Sequence, residues 1–117
     1  MSALARRAVA CKGWRWMPGM LTEFGDRYTP EGGAWCSETW RSWPTRYPRR
    51  SIKPDLEDPA TRGCVLALVR AAWGDPYAYT YRLNNGKWRV WGAATHLPAA
   101  QGTTEAEALV AALENAP

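Results

Sequence analysis
The chain has 117 residues, a net charge of +4, an apolar fraction of 46% and a charged fraction of 22%. That length suits one domain of residues 1–117, and that balance excludes wholesale disorder, which needs low hydrophobicity with high net charge. No apolar run approaches the roughly 18 residues of a membrane span, and the Met1–Lys12 stretch lacks the apolar core of a secretory leader, so a soluble cytoplasmic protein with no membrane partner is expected.

Ser2 is placed to cap a short helix over Ala3–Cys11, with Gly13 ending it. Leu4, Ala8 and Cys11 recur on it at helical spacing. In Trp14-Arg15-Trp16, alternation puts the two indoles on one side and Arg15 on the other, and the favoured role of the indoles is core packing. Strand-like pieces are expected near Met20–Phe24 and Ala34–Trp40, separated by glycine-rich turns. From Trp43 to Pro59 four prolines (Pro44, Pro48, Pro54 and Pro59) punctuate the chain, so residues of about 41–57 read as a Pro/Arg-rich extended connector or arm.

Asp58-Pro59 then opens a helix over 59–73, with Asp58 as N-cap and proline at the first helical position. Gly74-Asp75-Pro76 stops it. Ala60, Cys64, Ala67, Leu68 and Ala71 are its expected buried face, widened by Leu66, Val69 and Trp73, and a helix this apolar is expected to lie on a sheet. Tyr77–Trp91 reads as a hairpin around an Asn85-Gly86 two-residue turn. That turn would set Leu83 opposite Trp88, Arg82 opposite Arg89 and Tyr81 opposite Val90. Tyr79, Tyr81, Leu83, Trp88 and Val90 would then share one face, and Thr80, Arg82, Arg89 and Trp91 the other. Residues 92–102 read as a loop. Thr104-Glu-Ala-Glu107 is a capping box for a last helix over 104–114, with Ala106, Leu109, Val110 and Leu113 as its buried stripe. The expected fold is α+β: a small antiparallel sheet, made of the hairpin 77–91 plus one or two N-terminal strands, packed against helices 59–73 and 104–114 with a short N-terminal helix.

No reaction is legible. There is no Gly-rich phosphate loop, no GxSxG and no HExxH. Cys11, Cys36 and Cys64 are widely spaced and His96 is the only histidine, so neither a metal site nor a disulfide framework is expected, and the thiols read as buried. The close carboxylates, Asp55/Glu57/Asp58 and Glu105/Glu107, sit at helix starts, where capping and the helix dipole account for them. A non-enzymatic protein without cofactors follows as the expectation.

Binding is the better-signalled role. Eight tryptophans accompany a single phenylalanine. Residues 1–53 hold ten Lys/Arg against four Asp/Glu, whereas residues 54–117 hold five against seven. Arg82 and Arg89, expected opposite one another with Trp91 alongside, suggest an anion that offsets their repulsion and an indole on which a base stacks. Trp40, Trp43 and Arg46 are expected to close over that ligand. In the same region Arg41, Tyr47, Arg49, Arg50 and Lys53 interleave aromatic and basic character, a mixture that also marks protein-binding hot spots.

The stretches Asp55-Leu-Glu-Asp-Pro-Ala-Thr-Arg-Gly-Cys-Val-Leu-Ala-Leu-Val-Arg-Ala-Ala-Trp-Gly-Asp-Pro76 and Gly102-Thr-Thr-Glu-Ala-Glu-Ala-Leu-Val-Ala-Ala-Leu113 resemble a group of small phage and prophage accessory proteins, as does Trp16-Met-Pro-Gly-Met20. The resemblance implies a phage accessory gene product acting in an infected bacterial host. By analogy with other small phage proteins it implies counter-defence. Two forms are expected. One sequesters an anionic, nucleotide-type immune signal in a Trp/Arg pocket, as a homo-oligomer. The other is a protein-directed inhibitor of a host defence complex, of the anti-CRISPR kind, acting through residues 35–53.

Overall fold
Helix α2 (Pro59–Trp73) begins where local chemistry predicts, in a computed structural model that describes residues 2–25, 27–28, 53–92 and 100–117. Asp58 is extended and its carboxylate accepts from the Thr61 N–H at 2.9 Å, while proline occupies the first turn. Gly74 ends the helix at φ 63°, a left-handed conformation that glycine adopts without a Cβ penalty. The buried face is Thr61, Val65, Leu68 and Val69. That is one residue round from the expected one: Ala60 and Ala71 are exposed, and Cys64 and Ala67 are half-buried. The β-branched and leucine side chains remove more apolar area from water than alanines do, so they take the inward stripe.

Four more helical and strand segments follow the expected order, and one is new. Strands β1 (Tyr79–Arg82) and β2 (Trp88–Trp91) form the hairpin. Strand β3 (Ala100–Gly102) adds to β2 from within the expected loop 92–102. The sheet is antiparallel in the order β1-β2-β3, so its third strand comes from the C-terminal side. The N-terminal piece at Met20–Phe24 makes only single bridges, Leu21 to Arg27 and Thr22 to Pro54. The piece at 34–40 lies outside the described residues. Helix α3 (Glu105–Glu114) is capped by Thr104, whose hydroxyl accepts from the Glu107 N–H at 3.1 Å. The Glu107 carboxylate is held by the Thr103 hydroxyl. Helix α1 spans Ser2–Val9, so Ser2 belongs to the helix rather than standing before it.

Helix α3 is the hub. Ala106, Ala108, Leu109, Val110, Ala112 and Leu113 are all buried on it, and it packs on α1, on α2 and on all three strands. Helix α2 therefore has α3 as its main partner rather than the sheet. It reaches the sheet side through the Arg70 guanidinium, which donates to the Ala78 carbonyl at 2.8 Å. Glycine permits two of the close approaches. A Cβ at Gly102 would fall 2.4 Å from the Glu107 Cβ and 2.8 Å from the Ala108 nitrogen. One at Gly13 would meet Leu113 at 3.2 Å, so Gly13 serves packing rather than ending a helix in a left-handed turn. Ala5 and Ala8, both fully buried, bring α1 against this core, with Leu4 and Cys11 at the margin. Arg7 forks onto the Glu114 carboxylate at 2.9 and 2.7 Å.

The segment 14–28 is pinned from several sides. Trp14 and Trp16 meet edge to face at 5.6 Å and pack on the core, while Arg15 is exposed, as alternation predicts. Arg27 bonds the Asp58 carboxylate through both terminal nitrogens, at 2.8 and 2.9 Å. No helix among the described residues is long and apolar enough to cross a membrane.

A candidate ligand-binding face on the sheet
The hairpin register decides which side chains can act together. The pairs are Arg82 with Trp88, Tyr81 with Arg89, Thr80 with Val90 and Tyr79 with Trp91. This is one residue away from the expected register. The cause is the turn. Leu83 N–H donates to the Lys87 carbonyl at 2.7 Å and Gly86 N–H to the Leu83 carbonyl at 2.9 Å, which makes Asn84-Asn85-Gly86 a three-residue loop. Gly86 takes φ 85°, and no residue other than glycine has positive φ among the described residues. A two-residue turn of the expected kind needs positive φ at both central positions, Asn85 included.

A slip of one residue turns a strand over. Ala78 and Thr80 face the core with Val90, and the Thr80 hydroxyl donates to Glu105 Oε2 at 2.6 Å. Tyr79 and Tyr81, expected on the face opposite Arg89 and Trp91, stand on the outer face with them. Arg82 goes to the opposite side from Arg89, and its guanidinium lies beside Gly86 at the turn. The expected Arg82/Arg89 pair is thus not formed, while Arg89 and Trp91 do share a face.

That face is aromatic and basic. Tyr79 is 45% exposed and Trp91 42%. The Tyr79 ring lies 5.8 Å from that of Trp91 and 5.7 Å from that of Tyr81, both tilted. Such spacing falls within the range of favourable ring pairs. Arg89 stands between Tyr81 on β1 and Gln101 on β3. It is half-buried, and its Nε is covered and makes no hydrogen bond. The ion pairs of the described residues lie elsewhere, at Arg7–Glu114, Arg27–Asp58 and Arg62–Glu105. Without an acid partner among the described residues, and beside Tyr81 and Trp91 on one sheet face, Arg89 offers a guanidinium plane for stacking and donors for an anion.

The other expected contributors divide as follows. Trp40, Trp43, Arg46, Arg41, Tyr47, Arg49 and Arg50 lie outside the described residues, as do Cys36 and His96. Lys53 is half-buried, its N–H on Glu23 Oε2 at 2.6 Å and its carbonyl accepting from the Glu23 N–H at 2.9 Å, so its backbone is tied to the segment 20–28. Cys11 and Cys64 are free and half-buried rather than enclosed. Burial pushes both thiols up from their ordinary value. No group of His, Cys, Asp and Glu among the described residues could hold a metal ion. An open groove of about 440 Å³ lies elsewhere, between α1, Leu56-Glu57 and the start of α3. Its charged lining is Arg7, Glu57 and Glu107, and Arg7 is already paired, so it does not gather positive charge.

Comparison with protein-family models, with curated proteins and with solved structures finds no match for this chain. Any functional reading therefore rests on the outer sheet face.

Proposed function
We propose that this protein is a non-enzymatic binding module that takes a nucleotide-type ligand on the outer face of its sheet. The observation that carries the reading is the continuous set of rings Tyr81, Tyr79 and Trp91, with Arg89 beside it and no acid paired to that arginine among the described residues. Rings of this kind stack any base, and a guanidinium supplies charge-assisted bonds to phosphate. The resemblance of residues 55–76 and 102–113 to small phage accessory proteins supports a phage origin, and analogy with other small phage proteins supports counter-defence in the cytoplasm of an infected bacterium, where capture without turnover is enough to silence a signal. The reading carries a homo-oligomer, because a single open face encloses little of a charged mononucleotide.

The test is thermal unfolding with cyclic nucleotides, cyclic dinucleotides, ADP-ribose derivatives and short oligonucleotides. A ligand at about a hundred times its Kd adds roughly 2.7 kcal/mol to stability. A raised midpoint that disappears in the Arg89→Gln protein is the expected result. A flat panel overturns the nucleotide reading and leaves the protein-directed form, through residues 35–53, to be pursued by capture from a defended host.

A further inference from the structure
Resting on that reading, we infer that the ligand of the outer face is an extended single strand of nucleic acid rather than a mononucleotide. Tyr79 and Tyr81 lie two residues apart on one side of the edge strand β1, with their rings 5.7 Å apart. Same-side residues of a strand advance by about 6.8 Å per two residues. Tyr81, Tyr79 and Trp91 form a continuous row of three rings. The neighbouring strand carries cations: Lys87, exposed just before β2, is in phase with Arg89. Trp91 stands opposite Tyr79, Arg89 opposite Tyr81 and Lys87 opposite Leu83, so the positive charge gathers at the Tyr81 end of the rings.

That arrangement matches a polymer whose successive bases stack along the rings while its phosphates pass the cations at one end. Trp91 extends the platform across the sheet from Tyr79. None of the face residues (Tyr79, Tyr81, Lys87, Arg89, Trp91) is acidic. The face is also open, which a mononucleotide tolerates poorly and a strand with several contacts does not mind. A duplex is the wrong shape, because its bases are already stacked on each other and closed to the tyrosines.

The experiment uses the whole chain and fluorescence anisotropy with labelled oligo(dT) and oligo(U) of two, four and eight nucleotides, thymidine monophosphate as competitor and a blunt duplex as control. Affinity rising with length in either series supports the inference, and the tighter series names the sugar. Tyr79→Ala lowers affinity for the eight-nucleotide strand by about 5- to 140-fold, while Tyr79→Phe retains it. Arg89→Gln reduces the slope of log affinity against log salt by about 0.7, the loss of one phosphate contact. Unchanged thermal midpoints establish that these variants stay folded. Binding independent of length, at the level of the monophosphate, overturns the single-strand inference and leaves the nucleotide reading standing. Duplex binding as tight as single-strand binding also overturns it. No response to any oligonucleotide or to the small-molecule panel removes both.

Discussion

Asp58 joins three parts of the molecule, and its replacement separates their contributions. Its carboxylate caps α2 at the Thr61 N–H, accepts from the Thr61 hydroxyl at 3.0 Å and takes both terminal nitrogens of Arg27. Arg27 also donates to the Gly19 carbonyl, and the Thr61 hydroxyl accepts from the Leu21 N–H, both at 2.9 Å. The node thus fastens the segment 19–28 to the start of the longest helix. Asp58→Asn keeps a capping oxygen but loses the charge. Asp58→Ala loses both. A lost N-cap costs about 1 kcal/mol. A charged hydrogen-bonded pair contributes about 1.5–3 kcal/mol. Arg27 is 42% exposed, so solvent screening brings that pair down to about 1 kcal/mol. The expected penalties at pH 7 are therefore about 1 kcal/mol for Asn and about 2 kcal/mol for Ala. The bonds from Arg27, then those from Thr61, hold the Asp58 carboxyl below the usual carboxylate range. A depressed folded-state pKa stabilises fully above the unfolded value, near pH 3.9, and the contribution is lost as pH falls through the folded value. The Asn penalty should shrink in acid, while the difference between Ala and Asn should not change. Urea unfolding of the three proteins at pH 7 and near pH 2 measures both. An Asn penalty that is constant with pH, or equal penalties for Ala and Asn, refutes this account of the node.

Two further outcomes test the packing and the register. Gly102→Ala should cost about 1–3 kcal/mol by overpacking, since the added Cβ meets backbone atoms of α3 below 3 Å; thermal unfolding reads it, and a loss under about 0.5 kcal/mol would show that α3 moves away freely. Arg82→Glu and Arg89→Glu should differ sharply in ligand binding. Only the second charge lies on the outer face, so equal losses in a binding titration would restore the two-arginine pocket expected from the sequence.

The legible parts of the fold are those set by chemistry within a few residues. Asp58-Pro59, Gly74 and the Thr104 cap mark the helix ends because each satisfies, or frees, backbone groups next to it in the chain. The buried stripe of α3 was legible for the same reason, since Ala106, Leu109, Val110 and Leu113 repeat at helical spacing. Strand β3 was hidden by its length of three residues and by the absence of a strand-like pattern in Ala100-Gln-Gly102. The aromatic half of the binding face was hidden by the turn: Asn84-Asn85-Gly86 suits a three-residue loop as well as Asn85-Gly86 suits a two-residue one. The available signal was the small-residue phase Ala78/Thr80, which fits beneath a closely packed helix.

By itself, then, the chain's sequence determined the α+β class, the bounds of α2, the capped start of α3 and the presence of a hairpin rich in Tyr, Trp and Arg. Only the tertiary structure decided which way that hairpin faces. A two-residue alternation is satisfied with either side inward. The side of β1 that meets α3 takes the small Ala78, fully buried, and Thr80, bonded to Glu105, and leaves Tyr79 and Tyr81 outside with Arg89 and Trp91.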